Sequence, residues 1–89
     1  MFKVLLTFSN GETLELKEDQ AILPISKYTD PDGRLTSNVD ETYVLWYHPN
    51  HGFIPSATEL LCNCDFFYLI DSPDKIYKTS AIDSAENIR

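Results

Sequence analysis

Residues 47–64, YHPNHGFIPSATELLCNC, hold both histidines and both cysteines of the chain. Imidazole and thiolate are the usual donors of tetrahedral zinc sites, so His48, His51, Cys62 and Cys64 could in principle close one. His48-Pro49-Asn50-His51-Gly52 has the spacing of a metal knuckle, with glycine letting backbone N–H groups face an ion. Cys62-Asn63-Cys64 is poorer, because structural sites favour ligand pairs two to four residues apart. If Cys62 is helical, Cys64 is rotated about 200° from it and leaves its face. The favoured reading is metal-free: His48 ends a strand, His51 lies in a solvated turn and Cys62 packs as a small hydrophobe beside Leu60 and Leu61. No cofactor is expected, and zinc held by the four residues is kept as an alternative.

Thiol catalysis needs a thiolate, favoured by a nearby base or a helix N-terminus. Both cysteines sit instead at the C-terminal end of an expected helix, where the dipole and Asp65 oppose negative charge. Other catalytic signatures are missing. The three glycines stand singly, with no phosphate-cradling loop, Gly-x-Ser-x-Gly elbow or His-Glu-x-x-His motif. No pair among the scattered acids is singled out for acid–base work, so no catalytic residue is assigned and a non-enzymatic role is expected.

The charge balance disfavours several partners. Seven Lys and Arg against fourteen Asp and Glu give a net charge of −7. Binding to nucleic acid phosphates, or to an anionic membrane through a basic run, needs cations this chain lacks. No apolar run approaches the roughly 18 residues of a membrane span, and the apolar start is too short for a signal segment. None of the asparagines has the Asn-x-Ser/Thr pattern, and two cysteines one residue apart cannot staple distant segments. A cytoplasmic protein is expected.

Elements follow from periodicity. Phe2 to Lys17 reads as a hairpin around Asn10-Gly11. A three-residue loop, Ser9-Asn10-Gly11 with Gly11 in the left-handed region, pairs Leu6 with Leu14 and Val4 with Leu16 on one face. Ala21 to Ile25 contains Pro24, which lacks an N–H, and is assigned to an edge strand or crossing loop. Asp30-Pro31-Asp32-Gly33 is a turn rather than a calcium loop, since no further ligands follow at the required spacing. Thr29 to Asp40 is expected to be a mobile loop.

Glu41 to His48 alternates apolar residues on both faces and reads as the strongest strand. Ser56 and Glu59 match a capping box, placing a helix from about Ala57 to Asn63. Asp65 to Asp71 reads as a strand, Ser72-Pro73-Asp74 as a turn, and Lys75 to Ile82 as a last strand followed by a frayed tail. The chain of 89 residues therefore has the pattern of one domain, α+β or mainly β. The expected architecture is a small bent antiparallel sheet or open barrel of SH3-like or OB-like size, with about five strands and one short helix.

Aromatic residues, 12% of the chain, crowd the second half and exceed what a small core hides. One reading puts Phe and Trp in the core with Tyr hydroxyls at its rim; the functional alternative is an exposed Tyr/Trp patch ringed by acids, the composition of an interface hot spot. Tyr43, Trp46, Tyr47, Asp65, Tyr68 and Asp71 are assigned to that surface. The sequence thus points to a small acidic binding protein acting on a protein partner with a basic surface or groove. Inhibitors of phage or mobile-element type and small adaptors share this design. A structural homo-oligomer is the remaining alternative.

Overall fold

The computed structural model describes residues 2–88. In chain order these form β1 (Lys3–Phe8), β2 (Thr13–Lys17), β3 (Ala21–Thr29), β4 (Leu35–Val39) and β5 (Tyr43–Val44), then α1 (Ile54–Asn63). β6 (Phe66–Leu69), β7 (Ser72–Lys78), a 3-10 turn (Thr79–Ala81) and β8 (Ile82–Ile88) complete the chain. All strand pairs are antiparallel, in a three-stranded sheet ordered β2-β1-β8 and a five-stranded sheet ordered β4-β3-β6-β7 with β5 also beside β3. The mainly antiparallel β class with one short helix matches the sequence pattern. Eight strands rather than about five are found among the described residues, because segments read as loops pair into ladders.

The first hairpin closes as its register requires. Phe8 N donates to Glu12 O at 2.8 Å, Gly11 N donates to Phe8 O at 2.9 Å, and Gly11 has φ +90°. Leu6 faces Leu14 and Val4 faces Leu16. Val4, Leu6, Phe8 and Leu16 are buried, while the opposite face carries a Lys3–Glu15 ion pair at 3.3 Å.

Pro24 is not at an edge: β3 lies inside the larger sheet, with β6 on one side and β4 and β5 on the other. The sheet tolerates it because β5 pairs with Ala21 and Ile22 while β4 pairs from Ile25 onward, leaving a seam between them. The N and O of a residue in an antiparallel strand point to the same side. Pro24 O accepts from Asp40 N at 3.0 Å on the seam side, so the missing N–H also faces the seam and no ladder bond is lost.

Other boundaries shift for equally local reasons. Thr29 to Asp40 is no loop but the β3–β4 hairpin. Asp30 Oδ1 accepts from Asp32 N at 3.0 Å and Arg34 N at 2.9 Å, fixing the expected turn with Gly33 at φ +84°. This hairpin runs past the end of β6, which pairs with β3 only from Ile22 to Ile25. The strand expected over Glu41 to His48 shrinks to Tyr43–Val44, because the next residues pair with the β2–β3 turn through Leu45 N to Gln20 O and Asp19 N to Leu45 O. β6 stops at Leu69, the hairpin turn is Ile70-Asp71, and Ser72-Pro73-Asp74 lies within edge strand β7, where proline is tolerated.

The capping box does not form. α1 starts three residues earlier, at Ile54, with Pro55 in its first turn and no side-chain cap bond. Ser56 instead sits fully buried inside the helix. Its Oγ shares a hydrogen bond with Tyr43 Oη at 2.8 Å and accepts from Trp46 N at 3.1 Å, docking the β5 segment onto α1.

The tail does not fray either, since β8 pairs with β1 from Phe8 back to Lys3. Near its end, Asn87 Oδ1 accepts from Phe53 N at 2.9 Å and Asn87 Nδ2 donates to His51 O at 3.1 Å. These bonds clamp the His48–Gly52 turn. Inward residues of both sheets and Phe53, Ala57, Leu60 and Cys64 form one core.

The two turn glycines should therefore respond differently to alanine. At Gly11 an added Cβ meets nothing within 4 Å, so only the left-handed backbone opposes it, at roughly 1–2 kcal/mol. At Gly52, with φ +64°, the Cβ would approach Asn87 Oδ1 to 2.6 Å. Gly52→Ala should lower the melting temperature by clearly more than Gly11→Ala. Equal shifts would refute the clamp.

Candidate interaction surface

Residues directly opposite in a ladder share a face, and alternate residues of one strand share it too. In the five-stranded sheet, Ile22, Pro24 and Phe67 point into the core. The opposite face is apolar as well. Val39, Ile25 and Phe66 form one row across β4, β3 and β6 that ends on Lys78 of β7, with Leu23 opposite Tyr68 and Ala21 opposite Val44 beside it and Lys27 beyond Ile25. Alternation along β7 adds Ile76, since its neighbour Tyr77 faces Phe67. Val39 is 59% exposed, Ile76 55%, Val44 48% and Trp46 38%.

The outer face of the three-stranded sheet supplies the contrast. It carries Lys3, Leu5 and Thr7 against Lys17, Glu15 and Thr13 on one side, and against Ile88, Glu86 and Ser84 on the other. That face is an ordinary wet surface. Two sheets of one small chain thus present outer faces of opposite character, and a contiguous apolar face with a polar rim marks an interaction site.

The six residues assigned to a surface from the sequence divide. Trp46 is exposed at the margin of the apolar face, and Tyr68 lies within it. Tyr43 points the other way: its hydroxyl donates to Ser56 O at 3.0 Å, and burial first, then Glu59, pushes its ionisation up against the lowering effect of Ser56. Tyr47 stacks on Phe2 at 5.2 Å and meets Phe53 edge-on at 5.1 Å. Asp65 accepts from Lys27 N at 2.7 Å, closing the open edge of β3 just beyond its ladder with β6. Asp71 accepts from Gln20 Nε2 at 3.4 Å. Sequence reading missed Leu23, Ile25, Val39, Val44, Phe66 and Ile76. The usable signal was that Ala21–Ile25 is apolar at every position, as a strand apolar on both faces must be.

The histidines and cysteines do not converge. His48 and His51 lie before α1 and both cysteines at its far end, a helix of ten residues being about 15 Å long. The imidazoles stack at 4.9 Å, and His48 Nδ1 accepts from Asn50 N at 3.1 Å within the turn. Among the described residues, no group of three or more His, Cys, Asp and Glu is placed to hold an ion. The cysteines also exchange the expected roles. α1 continues through Cys62 and leaves it exposed, whereas Cys64, extended at the helix end, turns into the core and donates its S–H to Leu60 O at 3.1 Å.

Unpaired negative charge collects on the α1 side of the five-stranded sheet, where Ser26 Oγ donates to Asp40 Oδ2 at 2.8 Å. Glu12, Glu15, Asp30 and Asp32 have cation partners, and the other ten acids have none among the described residues. Asp40 and Glu41 occupy the seam between Val39 and Val44. With Glu59 they line a cleft of about 500 Å³ beside the C-terminal end of α1, whose last turn holds no basic residue to offset the dipole. No helix among the described residues is long and apolar enough to cross a membrane. No family model matches the sequence, and comparison with curated proteins and with solved structures finds no match.

The thiols give a direct check of this geometry. Burial first, then Asp40 and Asp65, pushes the Cys64 thiol from its ordinary 9.0 up to about 11. A thiol reagent at neutral pH should label Cys62 alone in the folded protein and both cysteines in denaturant. Between about pH 9 and 11 the folded chain keeps a proton that the unfolded chain releases, so stability should fall as pH rises through that window. Rapid labelling of both thiols in the folded state would contradict the placement of Cys64.

Proposed function

We propose that this chain is a binding protein that seats a protein partner on the outer face of its five-stranded sheet. The partner's matching surface is an apolar ridge on a protein of net positive charge, which complements the −7 of this chain. The carrying observation is the apolar outer face itself, Leu23, Ile25, Val39, Val44, Phe66, Tyr68 and Ile76, set against the polar outer face of the other sheet. Such a chain acts by occupying a surface, as an inhibitor or an adaptor does.

Dimensions refine the reading. Four strands about 4.8 Å apart and four residues at about 3.4 Å each give roughly 250 Å² of flat sheet. A stable interface buries about 800 Å² per partner, so the sheet supplies an apolar centre and the rim must come from elsewhere. The projecting β3–β4 hairpin extends that side with Leu35, 71% exposed and in register with Thr29. A net charge of −7 steers a cationic partner and helps choose among partners, more than it adds affinity.

Capture from host extract by immobilised protein, compared across variants and salt, tests this. A captured protein should be lost with Val39→Glu or Tyr68→Glu, retained with Leu5→Glu on the other sheet, and bound more weakly in high salt. Binding that survives both sheet-face variants, or is lost equally with Leu5→Glu, overturns the proposal. Light scattering should report a monomer without partner, and a dimer abolished by Tyr68→Glu would instead assign the face to a second copy of this chain.

A further inference from the structure

We infer that a cleft at the N-terminal end of α1, away from the sheet face, binds a small planar heteroaromatic molecule of one or two fused rings. The cleft encloses about 740 Å³, within the roughly 300–1,000 Å³ of small-molecule sites. Its walls include the rings of Phe2, Tyr47 and His51, and its apolar surface is completed by Ile54, Pro55 and Ile88.

Each ring has an aromatic neighbour that restricts it. Tyr47 stacks on Phe2 at 5.2 Å and is braced edge-on by Phe53 at 5.1 Å. His51 stacks on His48 at 4.9 Å, and Asn87, in the same wall, fixes the His51 carbonyl and the Phe53 N–H. Ring faces fixed before binding lose little freedom on accepting a further ring, which is what makes aromatic stacking effective.

The polar lining narrows the class. No carboxylate, lysine or arginine is among the described residues that line the cleft, although the chain carries a net charge of −7. A cation therefore finds no counter-charge among those described residues. The exposed side chains of Asn50 and Thr58, with no hydrogen-bond partner among the described residues, stand at the lining, an amide and a hydroxyl that can read donors and acceptors on a ring edge. Ring faces for stacking with neutral polar groups beside them suit a heteroaromatic such as a purine or an indole.

Amide-resolved NMR titration with adenine, with indole and with cyclohexanol as a non-aromatic control tests this inference. Saturable shifts are expected at Tyr47, His51, Gly52 and Thr58 with at least one of the two rings. Cyclohexanol should bind about ten-fold more weakly or worse, the difference one stacking contact makes. Thr58→Trp, at an exposed helix position, should block the cleft and abolish the shifts without lowering the melting temperature, and Tyr47→Leu should weaken them. Shifts that never saturate, that cyclohexanol reproduces, or that fall on Trp46 and Tyr68 would overturn it. The last pattern would assign the ligand to the sheet face, and failure here leaves the protein-binding proposal standing on its own test.

Discussion

Strand β3 is apolar on both faces, and a chain of 89 residues has enough structure to cover one of them. Ile22 and Pro24 face the smaller sheet and α1 and are buried. Ala21, Leu23 and Ile25 face outward, where no other described element packs. Apolar surface left in water is unfavourable by about 25 cal/mol per Å², so a face of this kind is stabilised by whatever covers it. The rest of the architecture follows from this one strand: β4, β5 and β6 line up on it, and the side they extend carries the apolar face outward.

Ser56 holds that arrangement in place. A hydroxyl fully buried in a helix must find partners, and here they are the Tyr43 hydroxyl and the Trp46 amide. These bonds draw Tyr43 inward, and strand alternation then turns Val44 outward onto the apolar face. The same serine thus links the helix core to the exposed margin at Trp46. At the other end of α1 the clamp made by Asn87 sets the His48–Gly52 turn and with it the wall of the aromatic cleft. One helix therefore organises two surfaces of different chemistry, an acidic seam near its C-terminal end and an uncharged aromatic cleft near its N-terminal end.

Local signals were legible in the sequence where they were complete. Asn10-Gly11 with alternating flanks gave the hairpin and its register, and Asp30-Pro31-Asp32-Gly33 gave its turn, because loop geometry follows from a few neighbouring residues. Non-local pairing was not legible. Pro24 reads as an edge residue until the seam between β4 and β5 is known, and Asn87 reads as a tail residue until β1 pairs with β8. Ser56 and Glu59 carried a capping signal that Pro55 and the buried Tyr43 contact overrode. For the candidate surface, Trp46 and Tyr68 could be singled out by type. The aliphatic residues around them could not, because a valine on an outer face and one in a core look alike until strand pairing assigns the face. The histidines and cysteines share a neighbourhood in sequence and are separated in space by the helix between them.

Trp46, the only tryptophan, stands at the margin of the apolar face with 38% of its surface exposed. Its fluorescence quenching by acrylamide, measured in the free protein and in the complex with its captured partner, reads coverage of that face directly. Several-fold weaker quenching in the complex, with a blue-shifted emission, is expected if the partner seats on the five-stranded sheet. Unchanged quenching in a fully formed complex would contradict it.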